Sequence, residues 1–496
     1  MMGLSYSLLF LLFLVPFAYL CFPKLWLRKK LAIANSNSSC QNQRLPPGRT
    51  GWPLLGESLE YFTKIRQGVP YQFVKDRMNK YSSKVFRTSL IGQPMVILCS
   101  AEGNKFLFSN ERKLVQVWWP STMDKIFPKS DHRPSSEHSN RLRKLLPFIL
   151  KTDVLREYVG IMDAVMKKHL QTEWNCEEVN VGEKAKKYLL TLACNIFLGL
   201  DDPEKIDELA KGTEDVGTGI HSMPFNLQGT ALNRAIKASK LMRKEVEALI
   251  RQRRSDVSEY GPSSAKDFVS HMVLARDDNG QLLSDGDIAS HLVGLVQAGY
   301  TTIHSTITII MKYLSELPDI YTSVLKASIP LFPTEQKEIA IIKEQNGRLS
   351  WEDLRKMKHT WDVALEVLRI YTPGTGSFRE AITDFVFDGY TIPRGSKIHW
   401  IFDVTHKNPE YFHDPEKFDP SRFQGDGMAP FTFVPFGGGA RMCPGNEYAR
   451  VSILIFLHNA VTHFRWKKLI PDEEVLHYPV PRPAQGLPIR LYPHQP

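Results

Sequence analysis

The six cysteines of this 496-residue chain stand at positions 21, 40, 99, 176, 194 and 443, and no two of them form a CxxC pair. With no paired spacing and no zinc-type cluster, neither a disulfide scaffold nor a structural zinc site is indicated. No period of about 20 to 50 residues repeats, which argues against a solenoid. Strand-like runs are scarce: KVFRTSL and QPMVILCS near residue 90, FVFDGYTIP near 388 and LPIRLYP at the end. Acidic residues are missing from the first 44 positions, which hold Lys24, Arg28, Lys29, Lys30 and Arg44, half of the net charge of +10. Because the basic excess is concentrated there and no readable module appears, a nucleic-acid partner is not expected.

What is present begins with LSYSLLFLLFLVPFAYLCF, uncharged from Leu4 to Phe22 and about the length that crosses a bilayer as a helix. A cleavable signal peptide carries its positive charge before the apolar run, whereas here it follows. The expectation is an uncleaved anchor, with everything downstream on the cytosolic side and the sequon at Asn37 unglycosylated. RLPPGRTGWPLLGE, residues 44–57, reads as a stiffened hinge. The expected organisation is therefore an anchor and basic flank (1–30), a linker and proline-rich hinge (31–57), and one folded domain (58–496). Long helical patterns dominate that domain. The longest, residues 287–318, has Ser284 and Asp285 as cap candidates and Pro318 as its stop, and is apolar on more than one face, as a central helix should be. The fold class expected is mainly α with small β-sheets.

The cysteine without a partner lies in PFGGGARMCPGNEYAR, residues 435–450. The stretch fits F-x-x-G-x-R-x-C-x-G with Phe436, Gly439, Arg441, Cys443 and Gly445. A cysteine thiolate is a strong axial ligand for haem iron and favours O–O cleavage. Glycines such as Gly437 and Gly439 let backbone approach a porphyrin and aim N–H groups at the sulfur. Arg441 suits a haem propionate through a charge-assisted hydrogen bond. The bland alternative, a buried structural cysteine beside a glycine turn, does not account for five matched positions. A helix is expected from EYARVSILIFLHNAV.

With that loop the chain resembles the cytochrome P450 family, and other segments match. EVLR supplies Glu366 and Arg369 and FDPSRF supplies Arg422; the resemblance makes these three an ion-pair triad tying a helix to the irregular loop before the haem. E-x-x-R alone would carry nothing, since any exposed helix shows it. Arg379 in GSFREA matches a position that meets one haem propionate. LPPGRTGWPLLGESLE, DRMNKYSSKVFRTSLIG, NKFLFSNERKLVQVWWP, FTFVPFGGGARMCPGNEYAR and KKLIPDEE look like the plant branch that oxidises triterpenoids, most of all the pentacyclic triterpene oxidases acting at the C-28 methyl of β-amyrin-type scaffolds. More distantly they resemble taxane-type diterpenoid hydroxylases. The resemblance implies a cytochrome P450 fold behind a single N-terminal transmembrane helix. It implies haem b as cofactor, with NADPH and flavins acting through a membrane-bound NADPH–cytochrome P450 reductase. Membrane lipid, a hydrophobic terpenoid and a single-pass place in the endoplasmic reticulum, catalytic domain in the cytosol, complete the expectation.

Two departures stand out. The family's central helix carries an acid and a threonine over the iron; here AGYTTIHST gives Thr302 at the threonine position but Thr301 at the acid. A threonine relays a proton through water but releases none at neutral pH. The leading reading is slower monooxygenation with a water relay; a poorly active, membrane-anchored haem protein and an enzyme that rearranges its substrate without activating oxygen also stand, the last disfavoured by the intact cysteine loop. The family's W-x-x-x-R has no tryptophan in EHSNRLRKLLP, where Arg143 is the best match to a propionate partner and Arg141 the second. Residues 327–334, ASIPLFPT, interrupt an otherwise amphipathic helix with two prolines and read either as a retained intron fragment or as a surface loop. Pocket contacts are expected from residues 116–123, 219–227 and 373–378 and from the central helix, with the Trp118–Trp119 pair more at home in core packing.

Overall fold

The structure is a computed structural model that describes residues 44–52, 55–90, 92–128, 143–261, 267–276, 280–328, 349–374, 376–425 and 427–494. The apolar run at 4–22, its basic flank, Arg141 and residues 329–334 of the interrupting stretch lie outside the described residues. No helix among the described residues is long and apolar enough to cross a membrane.

The principal helices are α1 (Ser58–Arg66), α2 (Pro70–Tyr81), α3 (Ala101–Asn110), α4 (Thr152–Glu173), α5 (Val181–Ala193), α6 (Pro203–Ile220), α7 (Ala231–Tyr260), α8 (Asp285–Glu316), α9 (Pro318–Ser328), α10 (Lys358–Ile370) and α11 (Asn446–His463). Strands are short: β1 (Val85–Leu90), β2 (Gln93–Leu98), β3 (Val115–Val117), β4 (Glu178–Asn180), β5 (Gly376–Ala381), β6 (Phe385–Phe387), β7 (Tyr390–Ile392), β8 (Lys397–Ile401), β9 (Phe464–Lys468), β10 (Val475–Leu476), β11 (Arg482–Pro483) and β12 (Pro488–Pro493). They form a five-stranded sheet in the order β1-β2-β8-β5-β3, a three-stranded sheet β4-β12-β9 and the pairs β6-β7 and β10-β11. Helices from α4 to α11 share the main apolar core, while the five-stranded sheet has smaller cores of its own.

The central helix shows why the sequence folds as it does. The Ser284 hydroxyl accepts the Asp287 amide at 3.1 Å and donates to Asp287 Oδ2 at 2.8 Å, closing the first turn, where Asp285 and Asp287 meet the positive end of the helix dipole. The helix ends at Glu316, and Pro318 opens α9. Along all of α8 only Ala298 and Thr302 are exposed. Four residues apart, they share one face, so a helix otherwise packed on every side has a single open spot at its middle.

The proline-rich stretch at 44–57 is stitched onto the body. The Arg87 amide donates to Pro47 O at 2.7 Å, and buried Glu57 accepts from Arg77, Arg49 and Thr88. Its glycines and prolines shape a segment that lies against the sheet edge.

Candidate active site around Cys443

Cys443 occupies the loop that leads into α11. Gly437 and Gly439 have φ of +70° and +61°. At Gly439 a Cβ would lie 2.5 Å from the Phe108 carbonyl oxygen, so the loop closes against α3 only where no side chain stands. Within the loop, the Cys443 amide donates to Phe436 O at 2.7 Å. The thiol is reachable yet set deep among protein atoms. Burial pushes its pKa up, while the Gly445 amide that hydrogen-bonds the sulfur and the charge of Arg143 pull it down. The N-terminus of α11, three residues on, adds the favourable end of a helix dipole.

Three arginines gather beside it. Both terminal nitrogens of Arg143 donate to the Met442 carbonyl at 3.0 Å. Arg379 Nε donates to Glu111 Oε2 at 2.8 Å and Arg441 Nε to Glu111 Oε1 at 3.0 Å. Glu111 carried no signal in the sequence: it follows α3 in an ordinary polar run, and only the fold brings it between two arginines separated from it by some 270 and 330 positions. Three cations against one anion leave two surplus positive charges. Burial lowers the pKa of Arg143 and Arg379, and the charge of Arg441 lowers both further. Such a cluster suits a ligand with two carboxylates. Replacing Glu111 by glutamine removes the counter-charge shared by two buried guanidiniums. We expect it to destabilise the protein by about 1–3 kcal/mol, read from urea unfolding.

On α8, Thr302 Oγ1 donates to the Ala298 carbonyl at 3.1 Å, and Thr301 Oγ1 accepts from Gln297 Nε2 at 3.0 Å. Gln297 Oε1 is buried with no hydrogen-bond partner. A Cβ at Gly299 would meet the Phe197 ring at 2.6 Å and Tyr448 of α11 at 3.6 Å. The missing side chain thus lets α8 pass close to the start of α11.

Behind the cysteine loop, Glu366 and Arg369 of α10 are fully buried and joined twice at 2.8 Å. Arg422 reaches Glu366 Oε1 only at 3.4 Å and spends its terminal nitrogens on the His413 and Asp414 carbonyls. Arg369 also donates to the His406 carbonyl at 3.0 Å. His406 Nε2 accepts the Val434 amide at 2.9 Å, so Nδ1 carries the hydrogen and bonds Thr372 Oγ1 at 3.2 Å. Burial, then the charges of Arg369 and Lys407, push the His406 pKa down to about 3. In the unfolded chain an ordinary histidine takes a proton near pH 6.5. The folded state cannot, so stability present above that pH is lost as the pH falls towards 3. This site loses about 1.4 kcal/mol per pH unit. His406→Gln, which keeps a donor and an acceptor without titrating, is expected to flatten that part of the loss between pH 6.5 and 5 in urea titrations.

A cavity lies on the other side of β5. Trp119, Pro120, Met123, Ile220, His221, Pro373, Gly374, Gly376 and Phe378 line it; these come from three of the four segments expected to contact substrate. The central helix does not line it; Tyr61, Phe62 and Ile65 of α1, His399, Asp403, Lys407 and the 477–481 turn do. Trp119 lines the cavity, and Trp118 and Trp119 both pack edge-on against Phe378, at 5.8 and 6.4 Å. Phe378 and Arg379 are neighbours on β5 and so point to opposite faces, one to the cavity and one to the arginine cluster.

Among the described residues no group of three or more His, Cys, Asp or Glu is placed to hold a metal ion. The paired surplus charge beside Cys443 would suit a porphyrin with two propionates. The loop and the arginines have the make-up of a haem-thiolate site. The chain belongs to the cytochrome P450 family, whose model matches residues 46–483. It is 47% identical over 485 residues to a beta-amyrin 28-monooxygenase of Vitis vinifera, covering 98% of this chain and 99% of that protein. It is 50% identical over 451 residues to one of Solanum lycopersicum (91% and 93%). A beta-amyrin 16-beta-monooxygenase of Platycodon grandiflorus is 49% identical over 467 residues (93% and 95%). Among solved structures, cyanobacterial CYP120A1 with bound retinoic acid matches with a TM-score of 0.78 at 29% identity, covering 91% of this chain and all of that one. The protein is an oxidoreductase, a P450 monooxygenase with haem-thiolate iron, whose electrons in the general arrangement of the family come from NADPH through a partner reductase.

Proposed function

We propose that the protein oxidises a pentacyclic triterpene of β-amyrin type, at the C-28 methyl, with electrons from NADPH–cytochrome P450 reductase at the endoplasmic-reticulum membrane. The observation that carries this is identity of 47–50% over nearly the whole chain to relatives named for that reaction. The similar Platycodon enzyme acts at the 16-beta position, which makes the carbon attacked the first thing to measure. A mostly apolar cavity bounded by aromatic side chains suits a hydrocarbon ring system.

Haem bound through Cys443 would supply oxygen activation, and the chain's own residues would supply position and a path for protons. Arg143, Arg379 and Arg441 would hold the propionates. Thr302 Oγ1, on the one open face of α8, exchanges its bond to Ala298 O for a water or substrate-side acceptor. Because Gln297 donates to Thr301 Oγ1, the Thr301 hydroxyl hydrogen is directed elsewhere, and Gln297 Oε1 remains to accept from a water. Thr301, hydrogen-bonded to neutral Gln297, stands where the family has an acid, so proton delivery runs through water and is slow. Thr302→Ala is expected to cut product formed per NADPH consumed by on the order of 10²-fold while NADPH oxidation continues.

The test is co-expression with a plant reductase in yeast that makes β-amyrin, with products read by mass spectrometry. Oxygenation at C-28 supports the reading. Untouched β-amyrin beside a thiolate-type carbon-monoxide spectrum would reject it and turn the search to diterpenoids of taxane type.

A further inference from the structure

The cavity beside β5 is apolar along most of its wall but ends on an ionic corner. Asp403 is only 5% exposed and lines the cavity. Its Oδ1 is buried and has no hydrogen-bond partner. One helical turn on, Lys407 also lines the cavity, its ammonium 4.6 Å from the centroid of the Tyr71 ring. Burial pushes the Asp403 carboxyl up to about 6, with Lys407 and the backbone amides of Val404 and Asp403 opposing the shift. A buried carboxylate oxygen without a partner is costly, and nothing in the site described above uses it.

We propose that Asp403 and Lys407 form a hydroxyl-recognition subsite for the oxygenated end of the substrate. The hydroxyl donates to Asp403 Oδ1 and accepts from the Lys407 ammonium, while the hydrocarbon body lies against Trp119, Ile220 and Phe378. This rests on the triterpene reading, whose scaffold carries a single hydroxyl, on ring A, at the opposite end of the ring system from C-28. In an apolar cavity that hydroxyl must leave water, which is unfavourable unless a partner waits for it. The orphaned oxygen has the matching deficit, and one hydrogen bond removes both. The same bond gives selectivity, because a site built to bond a hydroxyl leaves its own polar groups unpaired when an analogue lacks one. β5 links the two ends of the site: Gly376 and Phe378 line the cavity, and Arg379, next along the strand, joins the arginine cluster.

The test uses the full-length, haem-loaded protein in detergent and its substrate-induced Soret shift. β-Amyrin is compared with its 3-deoxy analogue. The wild type should bind β-amyrin at least about 10-fold more tightly than the analogue. Asp403→Leu should bring the two within about 2-fold, mainly by weakening β-amyrin. Asp403→Asn, which keeps an acceptor oxygen without the charge, should retain part of the preference. If Asp403→Leu fails to hold haem, Lys407→Met carries the same comparison. Equal binding of both ligands by the wild type, or equal weakening of both in the variants, overturns the subsite and leaves the triterpene reading standing. No shift with either ligand in a wild type that shows a thiolate-type carbon-monoxide spectrum overturns the triterpene reading and the subsite with it.

Discussion

Cys443→Ser is expected to abolish the thiolate-type Soret band of the reduced, carbon-monoxide-bound protein, and monooxygenation should fall by on the order of 10³-fold or more. The loss is chemical rather than structural. The loop is held by its backbone, through the Cys443 amide on Phe436 O, the Met442 amide on Gly439 O and Arg143 on the Met442 carbonyl, and serine disturbs none of these. Among the described residues no other cysteine is poised to take over. Cys99 and Cys194 are buried and their thiols are pushed up, Cys194 to about 12, by burial, so both stay protonated and inert. Cys176 is exposed in the short connection between α4 and β4. A variant that kept the thiolate-type band would show that another sulfur binds the iron, and the site built here would be wrong.

The loop was readable in the sequence because its chemistry is local. A thiol, two left-handed glycines and a helix start fall within a dozen residues, and each residue type has one physical reason to be there. The central helix was readable for a related reason: Ser284 caps it in sequence as in space, and its apolar pattern needs no partner to be recognised. Glu111, Asp403 and His406 were not readable. Glu111 and His406 act on residues far away in the chain, Asp403 lines a cavity that only the fold encloses, and each sits in an ordinary polar or helical run. β5 and β8, like the short β3, β4, β9, β10 and β11, lie outside the strand-like runs of the sequence; the buried face of β5 is built from Arg379 and Ala381 and β8 carries His399 inward, so neither alternates apolar and polar residues in the usual way. The stretch at 44–57 looked like a linker from its glycines and prolines. The same residues let the backbone press on Arg87 and Ser89, where a Cβ at Gly48 or Gly56 would sit 2.1 Å from a carbonyl oxygen.

The second large effect is expected at Glu366. Its carboxylate accepts two bonds from Arg369 and one from the Asp419 amide at 2.9 Å, and both the carboxylate and the guanidinium are out of contact with water. Through Arg369 it fixes the His406 and Lys417 carbonyls, and His406 in turn holds Val434 just before the cysteine loop. Glu366→Ala strands the Arg369 guanidinium in a dry interior, which costs about 3–5 kcal/mol against a net stability of roughly 5–15 kcal/mol. The expected result is protein that accumulates poorly and carries little haem, measured as the haem-to-protein ratio of detergent-solubilised membranes. Arg369→Ala should match it, because the carboxylate is then the stranded charge. Replacing both, Glu366→Leu with Arg369→Met, should cost less than the sum of the single changes, since no ion is left unpaired. Arg422→Ala should be far milder. Its contact with Glu366 is long and its Nε makes no hydrogen bond, so its part is to brace the His413 and Asp414 carbonyls. Should Arg422→Ala prove as damaging as Arg369→Ala, the three residues act as one unit, and the looser geometry at Arg422 does not describe its role in the loaded protein.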